Sequence, residues 1–433
     1  MVLGGTGYAA FGPRGSRDPR ERNRIVLDYW EKWTRHEGEA MMKVVDAFNA
    51  SQNRIFVRYA VTSDIGQKSM IAIAGGDPPD VIGLYSFNIP PYAESNAIMA
   101  LDELAPRYGV SLDNYAKGVR QVMQHKGQWW ATVNTAGSVA LYYNKALFAE
   151  VGLDPERPPR SIEELDDAHR KLVLMREDGE LLRAGFLHRE PGWWSWLWPY
   201  HFGGSIYDPA GDRSTVGSPE CVRAMIWMQM YARELGVDRV KKFADGFGNY
   251  FTPENPFLTG KVAMIVQGPW IANLIQAFKP DLAYGVAPFP VAAGVANSEP
   301  VGLIDTDVLA IPRGAKHPEA SMEFIAWTQR QDMTEQLARA HFKPSPLARI
   351  SEDFLSTHPN KGIAVHYNIF NSSRAFIAPP TRVWQQFKDE CDSVVQRLWR
   401  LEVEPDAALA ALQIRTQGFL DRAADERRRR AVS

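Results

Sequence analysis

The stretch Gly260-Lys-Val-Ala-Met-Ile-Val-Gln-Gly-Pro-Trp270 decides the fold. Its apolar run, Val262 to Val266, lies between Gly260 and Gly268 and reads as a buried strand bounded by two turns. Pro269 has a φ suited to a first helical turn, so Trp270 should stand where a strand gives way to a helix. Ligands of α/β sheets bind at such junctions. Trp270 therefore reads either as a ligand platform or as a core indole closing the corner.

Outward from this corner the chain alternates strand and helix. Ile25 to Trp30 reads as a strand, and a helix from about Glu37 sets Met41, Val44, Val45 and Phe48 on one face. Ile55, Val57, Tyr59 and Val61 alternate as a second strand. A helix from Ile65 to Ala74 stops at Gly75-Gly76, and Val81 to Tyr85 is a third strand. This order is the start of a doubly wound parallel sheet. Trp129 to Asn144 is strand-like, with an expected break at Asn134 to Ser138. Pro158 to Arg176 reads as helical, Ser161 and Glu164 forming a capping box. A helix from Pro219 to Glu234, strands at Tyr284 to Val291 and Val301 to Ile311, and helices to about Asp421 complete the pattern.

The 433 residues imply two domains, and 45% hydrophobic with 23% charged residues is ordinary for a globular protein. A net charge of −2 argues against nucleic acid or an anionic membrane surface as partner. No apolar run is long enough to span a membrane. Met1 to Gly12 lacks a basic n-region and is expected to be the tail of a signal segment, with Arg14 to Arg24 a flexible linker. Arg427 to Arg430 is expected to be a solvated, frayed end. Cys221 and Cys391 cannot make a four-ligand zinc site; two structural thiols or one disulfide both fit.

Catalytic motifs fail on context. Gly5-Thr-Gly-Tyr-Ala-Ala10 has no preceding strand, and His36-Glu-Gly-Glu-Ala40 lacks the second histidine of a zinc helix. Asp166 and Asp167 lie on a helix that reads as solvated, and Asp305 and Asp307 flank a strand. Glu31, Glu37 and Asp305 can approach one another through the fold, which leaves an enzyme open as a rival. No catalytic residue, metal or cofactor is expected. The thirteen Trp point instead to recognition, and Trp193-Trp-Ser-Trp-Leu-Trp198 gathers four of them. Indoles stack on the C–H faces of sugar rings, while carboxylates and amides bond the hydroxyl rim. A purely structural aromatic cluster is the competing reading.

Together these pieces resemble the extracellular solute-binding proteins of ABC importers, in the family 1 sugar-binding group. The resemblance runs from about Ile25 to Leu420. It is carried by Gly75-Gly-Asp-Pro-Pro-Asp80-Val, Leu141-Tyr-Tyr-Asn-Lys145-Ala-Leu-Phe and the Gly260 to Trp270 stretch, with Gly203-Gly204 and Lys343-Pro-Ser-Pro346. It implies an α/β fold of two lobes, the type II periplasmic-binding arrangement, with the ligand in the cleft between them. Lobe 1 would be 25–133 with 301–342, and lobe 2 would be 139–289 with 347–425. The crossings would be 134–138, 290–300 and 343–346, after a tail over 1–24.

The resemblance implies cleft residues Glu31, Trp33, Glu37, Tyr85, Ser86, Asn88, Trp193, Trp194, Trp196, Trp270 and Trp384, to which Asp305 is added. Asp80 and Asn144 are expected to fix turns and strand ends, not to touch ligand. At Gly137 the family pattern has an acidic residue, which puts maltose itself in doubt but not a sugar or polyol. The implied protein is an extracytoplasmic, monomeric carbohydrate binder that delivers its solute to importer membrane domains. A non-sugar solute such as a phosphodiester is the alternative, with Lys32, Lys343 and Arg374 as its candidate anchors; a secreted carbohydrate-active enzyme is a further one.

Overall fold

The computed structural model describes residues 18–296 and 298–432. The Gly5 to Ala10 motif and most of the expected tail lie outside the described residues. Residues 18–24 are docked, which corrects the flexible linker. Arg24 Nη1 donates to the Asn49 carbonyl at 2.9 Å, and Glu21 pairs with Arg58 at 2.8 Å.

Two mixed sheets form, each with its own apolar core. β1 (Ile25–Glu31), β2 (Ile55–Val61) and β3 (Val81–Tyr85) run parallel. The helices Arg35–Ser51 and Ile65–Ala74 connect them. Met41, Val44, Val45 and Phe48 are buried against this sheet because their spacing puts them on one side of the first helix. Next come β4 (Thr132–Ser138), β5 (Ala140–Asn144), β6 (Leu174–Met175) and β7 (Leu181–Phe186). They are followed by β8 (Val262–Gln267), β9 (Tyr284–Ala287), β10 (Gly302–Ala310) and β11 (Ala375–Phe376). The first sheet has the order β11-β10-β3-β1-β2 with β4 also on β10; the second is β9-β5-β8-β7-β6. Every residue of β8 is buried, as in a strand flanked by neighbours and covered on both faces.

Several expectations need correction. The strand does not break at Asn134 to Ser138: β4 runs through those residues on β10, and only Val139 separates it from β5 in the other sheet. Small side chains there make room for packing described below, not for a loop. Asp305 and Asp307 lie inside β10, not at its ends. Leu347 packs in the first core, because Ala116 N–H binds the Pro346 carbonyl and Ala348 N–H the Asn114 carbonyl, each near 2.9 Å. After Pro346 the chain touches both units, Leu347 and Phe370 packing in the first core and Ile369 in the second, before Trp384–Trp399 joins the second core. The C-terminal end is a helix, Pro405–Val432, on which Arg427 is engaged rather than frayed. Its guanidinium meets Glu94 at 3.3 Å and Asp212 at 2.7 Å.

Candidate ligand cleft

β1 and β3 are parallel, so Glu31 and Tyr85 end at the same edge of the first sheet. β10 runs antiparallel to β3 and sets Asp307 opposite Tyr85. Asp305, two residues earlier, shares the Asp307 face. Side chains from these ends form one chain of charges. Lys32 Nζ lies 3.1 Å from Glu31 and 2.9 Å from Asp307 Oδ1. Lys343 Nζ lies 3.0 Å from Asp307 Oδ2 and 3.2 Å from Glu37. Thr135 Oγ1 donates to Asp307 at 2.7 Å, and Tyr29 Oη donates to Glu31 at 2.7 Å. Trp33 is buried edge-on against His341 at 4.6 Å, and Lys343 Nζ is 5.5 Å from its ring.

The opposite wall belongs to the second sheet. β8 ends at Gln267, and Trp270 caps the helix Ile271–Phe278. Its ring folds back over Gly268, where a Cβ would lie 2.2 Å from it. A Cβ on Gly137 would lie 3.1 Å from Trp270 Cζ3 and 2.8 Å from the Asp305 carbonyl. The indole fills the space beside Gly137, and Asp305, the ladder partner of Gly137, carries a carboxyl on the neighbouring strand. Trp194 and Trp193 stand 6.0 and 6.4 Å from Trp270, and Tyr250 is 4.7 Å from Trp193. Lys343 Nζ, 5.9 Å from the Trp270 ring, links this aromatic wall to the charge network.

Burial would raise the Asp307 carboxyl, but Lys32 and Lys343 outweigh it and hold the group well below the ordinary range. Asp305 goes the other way. Burial and then the charge of Asp307 push it up to about 7, against a partial offset from Lys343 and Lys32, with Trp194 beside it. Burial opposes charge on both lysines, yet Asp307 with Glu31 or Glu37 keeps them firmly cationic.

Glu31, Trp33, Glu37, Tyr85, Asp305, Trp193, Trp194 and Trp270 are thus joined in one run of contacts through Lys32, Lys343 and Asp307. Four predicted residues do not join them. Trp196 and Trp384 pack edge-on at 5.0 Å inside the second core. Asn88 accepts from the Tyr85 N–H at 3.2 Å, and Ser86 borders a separate cavity of about 20 Å³ with Phe87 and Pro380. Asp80 accepts from the N–H groups of Asp28 in β1 and of His317, and Asn144 caps the helix after β5 by accepting from Leu147 N–H. Sequence reasoning missed Tyr250 and the central place of Asp307. The Asp-x-Asp spacing inside a strand was the available signal for the latter. Arg374 binds the Ala296 and Glu299 carbonyls instead of standing free.

The chain matches the model of the family described as bacterial extracellular solute-binding protein over residues 32–333. A maltotriose-binding protein of Pyrococcus abyssi is 21% identical over 319 residues, 73% of this chain and 64% of that relative. The chain therefore spans less than two thirds of that curated relative's length. Among solved structures, CpMnBP1 with mannobiose bound has a TM-score of 0.79 at 24% identity, covering 91% of this chain and 100% of that one. UgpB from Mycobacterium tuberculosis in complex with glycerophosphocholine has a TM-score of 0.72 at 20% identity, covering 92% and 98%. These likenesses establish the two-lobed fold.

Proposed function

We propose, because the chain belongs to the bacterial extracellular solute-binding protein family, that it is the carbohydrate receptor of an ABC importer. It works outside the cytoplasm as a monomer and hands its solute to the importer's membrane domains. On this reading the lobes are those named from the sequence, with the first crossing moved to Val139 and Leu347 assigned to lobe 1. The lobes swing together about the crossings, since a ligand buried between two walls must enter while they are apart. Relatives that bind maltotriose and mannobiose support a sugar as the solute.

The observation that carries the reading is the wall of Trp193, Trp194 and Trp270 with the Asp305 carboxyl at its foot. Indole faces suit the C–H faces of a pyranose, and the carboxyl suits its hydroxyls. The phosphodiester alternative draws on the glycerophosphocholine complex of a structural neighbour. It asks for free cations, and Lys32 and Lys343 are each already held by Asp307 and a second carboxylate. Binding, not hydrolysis, is the chemistry these groups support, because Asp305 and Asp307 stand on one face of a single strand and do not face each other across a bond.

A thermal-shift screen against mono- and oligosaccharides, polyols and glycerophosphodiesters tests the reading. A sugar at a hundredfold excess over its Kd should stabilise the protein by about 2.7 kcal/mol. A response to glycerophosphodiesters alone would replace the carbohydrate assignment.

A further inference from the structure

The charges around the aromatic wall do not balance. Glu31, Asp307 and Glu37 face two ammoniums, those of Lys32 and Lys343, which leaves one carboxylate in excess before Asp305 is counted. His341, in contact with Glu37, adds no cation: burial lowers its pKa to about 4. Asp305 is faced by Asp307, Lys343, Lys32, Trp194 and Tyr85, and both of those lysines are taken up by other carboxylates at 3.2 Å or closer. No ion pair to Asp305 forms among the described residues. A second acid, Glu190, sits near Tyr250 on the aromatic side, also without an ion pair among the described residues, and burial raises its pKa to about 7.

The rings beside Asp305 favour a cation. Aromatic faces attract ammonium groups, most strongly when water is excluded. The cleft already uses this attraction, for Lys32 Nζ lies 4.6 Å from the Tyr85 ring and Lys343 Nζ 5.9 Å from that of Trp270. Closing the lobes over a neutral sugar would leave Asp305 without a partner, either protonated or carrying a buried charge that nothing offsets. Closing them over an ammonium would supply the missing partner and form a charge-assisted hydrogen bond.

Resting on the carbohydrate reading above, the geometry points to a solute that is an amino sugar, its ammonium paired with Asp305 and lying against the faces of Trp194 and Trp270. The neutral part of the sugar stacks on the remaining wall, and Asp305 is the residue that selects for charge.

Calorimetric titration near neutral pH with three probes tests this: a β-1,4-linked glucosamine disaccharide, its N-acetylated counterpart and mannobiose. The aminated probe should bind at least about tenfold more tightly than the other two, as a charge-assisted bond replaces a neutral one. Asp305→Asn should bring the three to parity in a protein whose circular dichroism is unchanged, and Asp305→Glu should keep most of the preference. If a neutral probe binds as well as the aminated one, the charge inference is overturned and the carbohydrate reading stands. A preference that survives Asp305→Asn removes the assignment to that residue. If none of the three gives a saturable heat, nor any sugar of the thermal-shift panel a response, both readings fall together.

Discussion

Asp305 and Asp307 stand two residues apart on one strand face and titrate in opposite directions. The sign for stability differs accordingly. Asp307, held low, contributes stability that is complete above the ordinary carboxylate range and lost as pH falls through its depressed value. Asp305, raised to about 7, contributes stability that is present below pH 4 and lost as pH rises through 7. Asp305→Asn should therefore raise the unfolding free energy of the ligand-free protein at pH 8, by on the order of 2 kcal/mol and with it the melting midpoint, and change both little at pH 4. An equal effect at both pH values would contradict the assignment. Asp307→Asn should cost about 3–5 kcal/mol, because it leaves two buried ammoniums short of a partner. Some of this was legible in the sequence. Trp270 at the end of a glycine-bounded strand was, since the signal is local. The pairing of Lys32 and Lys343 through Asp307 was not, because it joins residues 36 and more positions apart that only the fold brings together.

Among the elements, the passage from β4 to β5 is the tightest link between the sheets. Ser138 Oγ and Tyr142 Oη, on either side of Val139, lie 3.0 and 2.7 Å from the two nitrogens of His366, on the helix Ile363–Asn371. One imidazole thus spans the single-residue crossing. Burial keeps it neutral, its pKa lowered to about 3. His366→Phe should remove both bonds and leave a buried hydroxyl unpaired, at about 1–3 kcal/mol. It should also broaden the lobe openings seen by small-angle scattering without ligand; an unchanged scattering profile would show that His366 does not stiffen the hinge. The sequence misread this region for a physical reason. Asn134, Thr135, Gly137 and Ser138 look like a loop by composition, but every one is buried in a strand. Thr135 is there to reach Asp307, Gly137 to admit an indole and Ser138 to meet His366. Asp166 misled in the same way, since it is buried and accepts from Trp227 Nε1 and Tyr231 Oη on a helix that reads as solvated.

At the scale of the whole molecule, two units with separate cores are joined by the crossings and also by side chains. Arg427 is one. From the C-terminal helix it binds Asp212 in the second unit and Glu94 at the end of the first unit's helix Ile89–Glu94. Glu94 is 5% exposed, and bonds from His125 and Lys126 outweigh its burial and hold its pKa to about 2. If the lobes close as proposed, Arg427→Ala should shift the balance of open and closed forms and change the solute Kd by about fivefold, corresponding to about 1 kcal/mol. A Kd unchanged at low and high salt would reduce it to a surface contact. The two-lobed plan itself was legible, because strand–helix alternation and the family motifs extend over nearly the whole chain. What sequence could not give was which aromatics face outward: Trp193 is 36% exposed on the wall, whereas Trp196, three residues on, is 4% exposed in the core. The most direct test of the central claim is calorimetric titration of the protein and of its Trp270→Ala variant with the sugar that most raises the melting midpoint. Saturable one-site binding that weakens at least about thirtyfold in the variant is the expected result. Equal affinity in a folded variant would return Trp270 to the core and contradict a cleft built on its indole.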